Sequence, residues 1–147
     1  MKAIILEGPH SLALVDKPVP VPGPGEALVR VKYCGICGSD LHAYETGFLQ
    51  PGLTIGHEFS GTVAGLGPGV EGWEEGECVT GNNIIACGIC RYCRGGRDNL
   101  CREMRRLGIT AQGSMAEYVL VPAKDLVRLP DRGSSAAAAL AEPLSVG

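Results

Sequence analysis

Residues 56–70 read GHEFSGTVAGLGPGV, a stretch that combines two candidate metal ligands with a strand pattern and a turn. The apolar and β-favouring residues of 58–66 predict a strand, and the glycines and proline of 67–69 predict a turn after it. His57 and Glu58 stand where this strand begins. The stretch therefore predicts a β domain that presents an imidazole and a carboxylate next to each other.

Gly (22) and Pro (10) are frequent, and aromatic residues make up 5% of the chain. This composition predicts short strands and tight turns for most of its length. Residues 17–25, KPVPVPGPG, predict an extended connector because proline has no backbone donor. Two short helices are predicted: 39–44, with Ser39 as N-cap, and the alanine-rich run 134–141, stopped by Pro143. The predicted strands are residues 2–6, 11–15, 26–33, 58–66, 77–80, 115–121 and 125–129. The fold class predicted is mainly β with a few short helices, resembling a β-barrel.

The composition is that of a globular protein, and 147 residues suit one domain, residues 1–147. A net charge of −3 gives no basic surface for nucleic acid. The apolar run at the N-terminus is too short for a signal peptide or a membrane span. We therefore expect a cytoplasmic protein with neither nucleic acid nor membrane as partner. In that reducing setting, seven Cys indicate metal binding or catalysis rather than disulfides.

Four of the cysteines follow the spacing C-x2-C-x2-C-x7-C within a lobe at about residues 85–105: Cys87, Cys90, Cys93 and Cys101. Closely spaced thiolates can converge on one ion, and four complete a closed tetrahedral zinc site of structural type. The alternatives are four free thiols in a loop and a nucleic-acid zinc finger. The acidic balance weighs against the finger, although six arginines cluster here, interpreted as a solvated face. They are Arg91, Arg94, Arg97, Arg102, Arg105 and Arg106.

A second candidate metal set consists of Cys37, His57 and Glu58. Thiolate, imidazole and carboxylate are all competent zinc ligands, and three protein ligands leave a position for water or substrate. An open site of this kind is catalytic, because zinc lowers the pKa of an oxygen ligand toward neutral pH.

These motifs resemble those of the medium-chain, zinc-dependent dehydrogenases. Residues 56–70 match the zinc alcohol dehydrogenase signature G-H-E-x2-G-x5-G-x2-V. Residues 34–42, CGICGSDLH, resemble the catalytic-zinc loop of that family, and residues 87–101 resemble its structural-zinc lobe, spacing included. The resemblance covers essentially the whole chain and implies a GroES-like β-barrel catalytic domain. Within the family the polyol dehydrogenase branch fits best, because residues 141–147, AEPLSVG, resemble its segment.

That branch makes Glu142 a further candidate ligand of the catalytic zinc, or a group close to it. The resemblance leaves open whether Glu58 or Glu142 binds the metal. The plainer interpretation of Glu142 is a solvated charge at a helix end.

The same resemblance implies roles for three neighbours of Cys37. Ser39 would take the proton of the alcohol, and His42 would pass it to solvent by way of the cofactor ribose. Asp40 would accept a hydrogen bond from His57 and fix its tautomer. The alternatives are a helix N-cap for Ser39, a surface imidazole for His42 and a solvated carboxylate for Asp40.

A dehydrogenase of this family also needs NAD or NADP, held by a Rossmann domain with G-x-G-x-x-G. Residues 65–69, GLGPG, do not qualify because Pro68 predicts a turn rather than a phosphate-binding helix. We therefore expect that the cofactor domain is absent from this chain and that the chain alone is inactive.

The predicted function is that of the catalytic domain of an NAD(P)-dependent alcohol or polyol dehydrogenase, a homo-oligomer at full length, with two zinc sites. Its substrate would be a small alcohol or polyol, oxidised reversibly to a ketone or aldehyde. The alternative is a stand-alone, non-catalytic zinc-binding module of the same fold. A zinc-free quinone reductase relative would share the fold but lack the metal ligands.

Overall fold

The computed structural model describes residues 1–130 and 136–146, and it confirms a mainly β fold with a few short helices. The strands are β1 (Lys2–Gly8), β2 (Ser11–Asp16), β3 (Glu26–Cys34), β4 (Leu53–Thr54), β5 (Phe59–Leu66), β6 (Cys78–Gly81), β7 (Ile84–Ile85), β8 (Arg105–Arg106), β9 (Tyr118–Pro122) and β10 (Leu126–Arg128). The helices are α1 (Gly38–Thr46), α2 (Arg91–Arg94), α3 (Ala136–Ala139) and α4 (Ala141–Leu144).

Three antiparallel sheets organise these strands, in the orders β2-β1-β4, β10-β6-β5-β3-β9 and β7-β8. The five-stranded sheet carries the main core, because its strands turn apolar side chains to a common interior. Members of that core include Val29, Phe59, Val63, Val79 and Val121. Phe59, the first residue of β5, is 1% exposed.

A second apolar cluster joins the three-stranded sheet to α1. It consists of Leu6, Ala43, Leu49, Leu53 and Ile55. Ala43 is the point at which α1 enters this cluster, and it is fully buried. Packing at Ala43 therefore holds α1 against the barrel.

The pairing of β3 with β5 places the candidate site. The register sets Cys34, the last residue of β3, opposite Phe59, the first residue of β5. In an antiparallel pair, residues that follow one strand lie beside residues that precede its neighbour. Cys37 follows β3, and His57 and Glu58 precede β5, so the pairing brings them together.

The structure corrects several details of the predicted helices. The N-cap of the first helix is Cys37 rather than Ser39, and the helix runs to Thr46. The alanine-rich run forms two short helices that break at Leu140, and Pro143 lies inside the second. Proline, which has no backbone N–H, is tolerated there because the N–H groups in the first turn of a helix have no partner within the helix. Residues 134 and 135 of the predicted helix lie outside the described residues.

The strand predicted at 115–121 begins only at Tyr118. Residues 115–117 instead bond to several neighbouring segments. The N–H of Glu117 donates to the carbonyl of Lys2 in β1 at 3.0 Å, and its carbonyl accepts from the N–H of Val31 in β3 at 2.9 Å. This segment therefore links the sheets rather than extending one of them.

Candidate metal centres

Cys37, His57 and Glu58 form the first candidate centre. One potential ligand atom from each, a sulfur, an imidazole nitrogen and a carboxylate oxygen, lies within 4.8 Å of the other two. His57 and Glu58 are 3% and 5% exposed, and Cys37 is half-buried. The set is thus lined by protein on the imidazole side and accessible on the thiol side.

Gly35 makes room for the carboxylate of this set. A β-carbon at this position would collide with Oε2 of Glu58, so a larger residue would force the carboxylate to move. The backbone N–H of Gly35 also donates to the carbonyl oxygen of Glu58 at 2.6 Å. The turn between β3 and α1 is therefore shaped around Glu58.

Asp40 connects the two chain segments that carry the ligands. Its Oδ2 accepts the N–H of Cys37 at 3.0 Å, and its Oδ1 accepts the N–H of Gly56 at 3.2 Å. The first bond is of the capping-box type, in which the third helical residue reaches back to the N-cap. Asp40 is 4% exposed, so the alternative of a solvated carboxylate is wrong.

The predicted hydrogen bond from His57 to Asp40 is also wrong. Both oxygens of Asp40 serve backbone groups, and Nδ1 of His57 is buried without a partner among the described residues. Asp40 instead bonds to the backbone of Gly56, the residue before His57.

The residues fit a zinc ion. All three donor types are zinc ligands, and a set of three leaves an open position. A buried nitrogen without a hydrogen bond is uncommon, and Nδ1 of His57 has no partner among the residues that the structure describes. Cys37, His57 and Glu58 are therefore the residues that would hold the metal.

Cys34 lies close to this centre but outside it. Its Sγ lies 3.2 Å from Oγ of Ser114 and donates to the carbonyl of Gly35 at 3.4 Å. Burial raises the pKa of the Cys34 thiol to about 11. A protonated thiol is a poor metal ligand. The contact of Cys34 with Ser114 instead ties β3 to the segment around Ser114.

Ser39 and His42 both lie on α1. Ser39 is half-buried in the first turn, and His42 is exposed one turn later. Residues three apart in a helix lie on the same face. The ring of His42 lies 5.3 Å from that of Phe48, centroid to centroid.

Glu142 is not part of the described centre. Its Oε1 accepts a hydrogen bond from Nδ2 of Asn83 at 2.7 Å, and it does not join the set formed by Cys37, His57 and Glu58. In this structure α4 is attached by this side chain to the turn between β6 and β7. A ligand role for Glu142 stays a prediction.

The four-cysteine lobe forms the second candidate centre. The pairing of β7 with β8 closes the base of the lobe, and the thiols of Cys87, Cys90, Cys93 and Cys101 lie within 4.8 Å of one another. The sulfurs of Cys90 and Cys93 are 3.5 Å apart, and the N–H of Cys87 donates to Sγ of Cys101 at 3.3 Å. A set of four thiols fits a closed, structural zinc site.

Backbone groups prepare part of this set for a cation. Hydrogen bonds from the backbone of Cys93 and Arg102 lower the pKa of Cys90 to about 6. Backbone N–H groups also lower the pKa of Cys87. Desolvation and the neighbouring Cys90 thiol raise the pKa of Cys93 to about 12. The metal-free lobe therefore holds both thiolate and thiol.

Sequence reasoning missed Gly35 and the segment around Ser114. Their role depends on contacts with Glu58 and Gly56, residues far from them in the chain. Gly35 stands within the motif at residues 34–42, but the motif carries no signal of which side chain will contact this glycine.

Comparison with known proteins agrees with this geometry. Residues 23–131 match the family model described as the alcohol dehydrogenase GroES-like domain. The chain belongs to that family, which places it among the zinc-dependent medium-chain dehydrogenases. In the described part of the chain, no helix is long and apolar enough to cross a membrane.

A curated relative, the L-threonine 3-dehydrogenase of Stenotrophomonas maltophilia (strain K279a), is 44% identical over 149 residues, which cover 97% of this chain and 44% of that protein. The chain thus spans less than half the length of the curated relatives it matches.

Two solved structures illustrate the similarity in fold. A thermostable alcohol dehydrogenase from Pyrobaculum aerophilum, with cobalt and zinc bound, is 37% identical with a TM-score of 0.85, covering 96% of this chain and 44% of that one. Galactitol-1-phosphate dehydrogenase from Escherichia coli is 28% identical with a TM-score of 0.92, covering 99% of this chain and 43% of that one.

Proposed function

We propose that residues 1–147 form the catalytic domain of an NAD- or NADP-dependent alcohol or polyol dehydrogenase. The observation that carries the proposal is the convergence of Cys37, His57 and Glu58 within 4.8 Å. Family membership supports it. Threonine is a secondary alcohol and galactitol-1-phosphate a polyol derivative, so the names of two relatives fall within the proposed substrate class.

The reaction is the reversible oxidation of an alcohol to a ketone or aldehyde. The carbon loses hydrogen with its electron pair as hydride to the nicotinamide, and the hydroxyl group loses a proton to solvent. Zinc held by Cys37, His57 and Glu58 would supply a Lewis acid that makes the substrate hydroxyl more acidic.

The chain's own residues then move the proton outward. Oγ of Ser39 accepts the hydroxyl proton while its own proton moves on, by way of the cofactor ribose, to the imidazole of His42, which releases a proton to water. The half-buried position of Ser39 and the exposed position of His42 on the same helix face support this direction. The ordinary pKa range of histidine suits such a relay near neutral pH.

Hydride transfer also needs a site for the nucleotide cofactor. The curated relatives are more than twice as long as this chain. We place the nucleotide-binding domain, and most contacts of a homo-oligomer, outside residues 1–147. These residues alone are expected to bind zinc but not to oxidise alcohols.

Metal analysis tests the proposed centre directly. The purified 147-residue chain should hold about two zinc ions, and the Cys37→Ala chain about one. The matched variant Cys93→Ala should lose the other ion and keep the one bound by Cys37. A content of one zinc that Cys37→Ala leaves unchanged would remove the metal basis of the proposal.

Two further measurements test the reaction. Sequencing the source gene beyond the codon for Gly147 should reveal a strand followed by G-x-G-x-x-G. In the full-length enzyme, Ser39→Ala and His42→Ala should each lower kcat by about 10²–10⁴, and the exposed helix variant Glu45→Gln should not. NAD-linked oxidation by the 147-residue chain alone would contradict the placing of the cofactor site.

A further inference from the structure

A loop follows the four-cysteine lobe and runs beneath the segment that leads to His57. This buttress loop, residues 107–115, begins directly after β8, where Leu107 is 1% exposed and its N–H donates to the carbonyl of Asn83 at 3.0 Å. Within the loop the N–H of Gly108 donates to the carbonyl of Ala111 at 2.9 Å. The start of the loop is therefore folded and buried.

The other half of the buttress loop is bonded to the chain just before His57. The N–H of Gly113 donates to the carbonyl of Thr54 at 2.8 Å, and the N–H of Ser114 donates to the carbonyl of Gly56 at 2.9 Å. Two backbone segments thus run side by side up to the residue that precedes the imidazole ligand.

Glycines allow these backbones to touch. A β-carbon on Gly108 would lie 2.6 Å from the oxygen and 2.7 Å from the nitrogen of Gly56. A β-carbon on Gly113 would also collide with the carbonyl oxygen of Gly56. Gly56 itself, at φ 89°, leaves no room for a side chain against Cγ of Met115. Side chains at these positions would force the segment away from the loop.

We propose that Gly108 and Gly113 are positioning residues for His57, so that the buttress loop sets where the imidazole stands relative to Cys37 and Glu58. The inference rests on the proposed function, because it concerns the metal centre on which that function depends. The mechanism is steric: backbone contact at Gly56 fixes the residue from which His57 extends.

The test compares zinc binding by Gly108→Ala and Gly113→Ala with that of matched glycine variants. Gly72→Ala is the control for Gly108→Ala, since both glycines have positive φ, 76° and 69°, and a β-carbon on Gly72 would meet nothing within 4 Å. Gly8→Ala is the control for Gly113→Ala, because neither glycine has positive φ. A β-carbon on Gly8, like one on Gly72, would meet nothing within 4 Å. Zinc itself is the probe, titrated against a chromophoric chelator.

We expect both loop variants to fill the four-cysteine lobe normally and to bind zinc at the first centre at least about tenfold more weakly than their controls. Cobalt in place of zinc should give the same result, read from the absorption bands of cobalt bound at the first centre, which has Cys37 as its one thiolate. Zinc affinities at the first centre within twofold of the controls would overturn the inference and leave the proposed function intact. A wild-type chain that binds no zinc through Cys37 would overturn both.

Amide hydrogen exchange in the wild-type chain provides the test should the variants not fold. Zinc at the first centre should slow exchange of the N–H groups of Ser114 and Met115, which bond to Gly56 and Ile55. The Cys37→Ala chain should not show this slowing, and Ala123, bonded to Gly25, should be unaffected in both. Equal exchange of Ser114 and Met115 in the two zinc-loaded chains would overturn the inference.

Discussion

The carboxylate of Asp40 accepts the backbone N–H of Gly56 at 3.2 Å, inside the protein and across a separation of 16 residues. The other oxygen of the same carboxylate accepts the N–H of Cys37 at 3.0 Å. One buried side chain therefore fixes the segments on both sides of the first metal centre. Its hydrogen bonds go to backbone groups, so it positions the ligands by positioning the chain.

Replacement of Asp40 should weaken that centre without unfolding the lobe. In Asp40→Asn only one acceptor oxygen remains, so one of the two backbone bonds is lost and its N–H left unpaired. We expect zinc affinity at the first centre to fall about 10- to 100-fold, measured by chelator competition. The control is Asp16→Asn, on an exposed carboxylate that pairs with Lys2. Unchanged affinity in Asp40→Asn would show that the tether does not matter for metal binding.

The four-cysteine lobe should show a characteristic dependence of zinc affinity on pH. Zinc binding displaces the protons of its thiols. Cys90, with its pKa lowered to about 6, is already a thiolate above that pH and is protonated below it. At a pH above the ordinary thiol pKa, the Cys90 thiolate therefore stabilises the folded lobe. This contribution to the free energy of folding disappears as the pH falls through about 6.

The expected result is that the plot of log zinc affinity against pH steepens by about one proton below pH 6. Titrations of the Cys37→Ala chain isolate the lobe from the first centre. At pH 8, calorimetry in buffers of different ionisation enthalpy should detect fewer than four protons released per zinc. Release of all four would show that Cys90 is protonated there and that its pKa is not lowered.

Removal of the Glu142 carboxylate should leave the zinc content of the 147-residue chain unchanged. Glu142 is engaged by Asn83 at 2.7 Å and lies apart from the described ligand set. We expect Glu142→Ala to retain about two zinc ions and Glu58→Ala to retain about one. Zinc analysis by mass spectrometry distinguishes the two. A loss in Glu142→Ala equal to that in Glu58→Ala would establish Glu142 as a ligand.

The core beneath the site should dominate the stability of the barrel. Phe59 is 1% exposed and is the residue after Glu58. Phe59→Ala should lower the free energy of unfolding by about 3–5 kcal/mol, the range for removing a buried aromatic ring. Chemical denaturation measures this difference. Val127→Ala, at a site 56% exposed, should change it by less than about 0.5 kcal/mol, and an equal effect of both variants would contradict the described core.

Local patterns predicted much of the fold. The strands at 2–6, 11–15, 26–33 and 58–66 agree with the structure to within a few residues, because alternation and turn residues act over short distances. The strands of two residues, β4, β7 and β8, were missed. Segments this short carry no periodicity and owe their conformation to the partner strand.

The spacing of the four cysteines likewise indicated a shared site before the structure was known, since thiols so close in the chain can meet in one loop. The grouping of Cys37 with His57 and Glu58 in one metal-binding set was predicted from the chemistry of zinc ligands. The structure adds the reason for their proximity, the register of Cys34 opposite Phe59.

The sequence by itself thus determined the candidate metal ligands and most of the longer strands, and it indicated the class of chemistry. Tertiary structure alone decided that Asp40 bonds to Gly56 rather than to His57, that Glu142 turns to Asn83, and that Gly108 and Gly113 touch the chain beside the imidazole. Those outcomes depend on contacts between residues far apart in the chain. Such contacts are set by packing and by competition among hydrogen-bond partners, which no local pattern records.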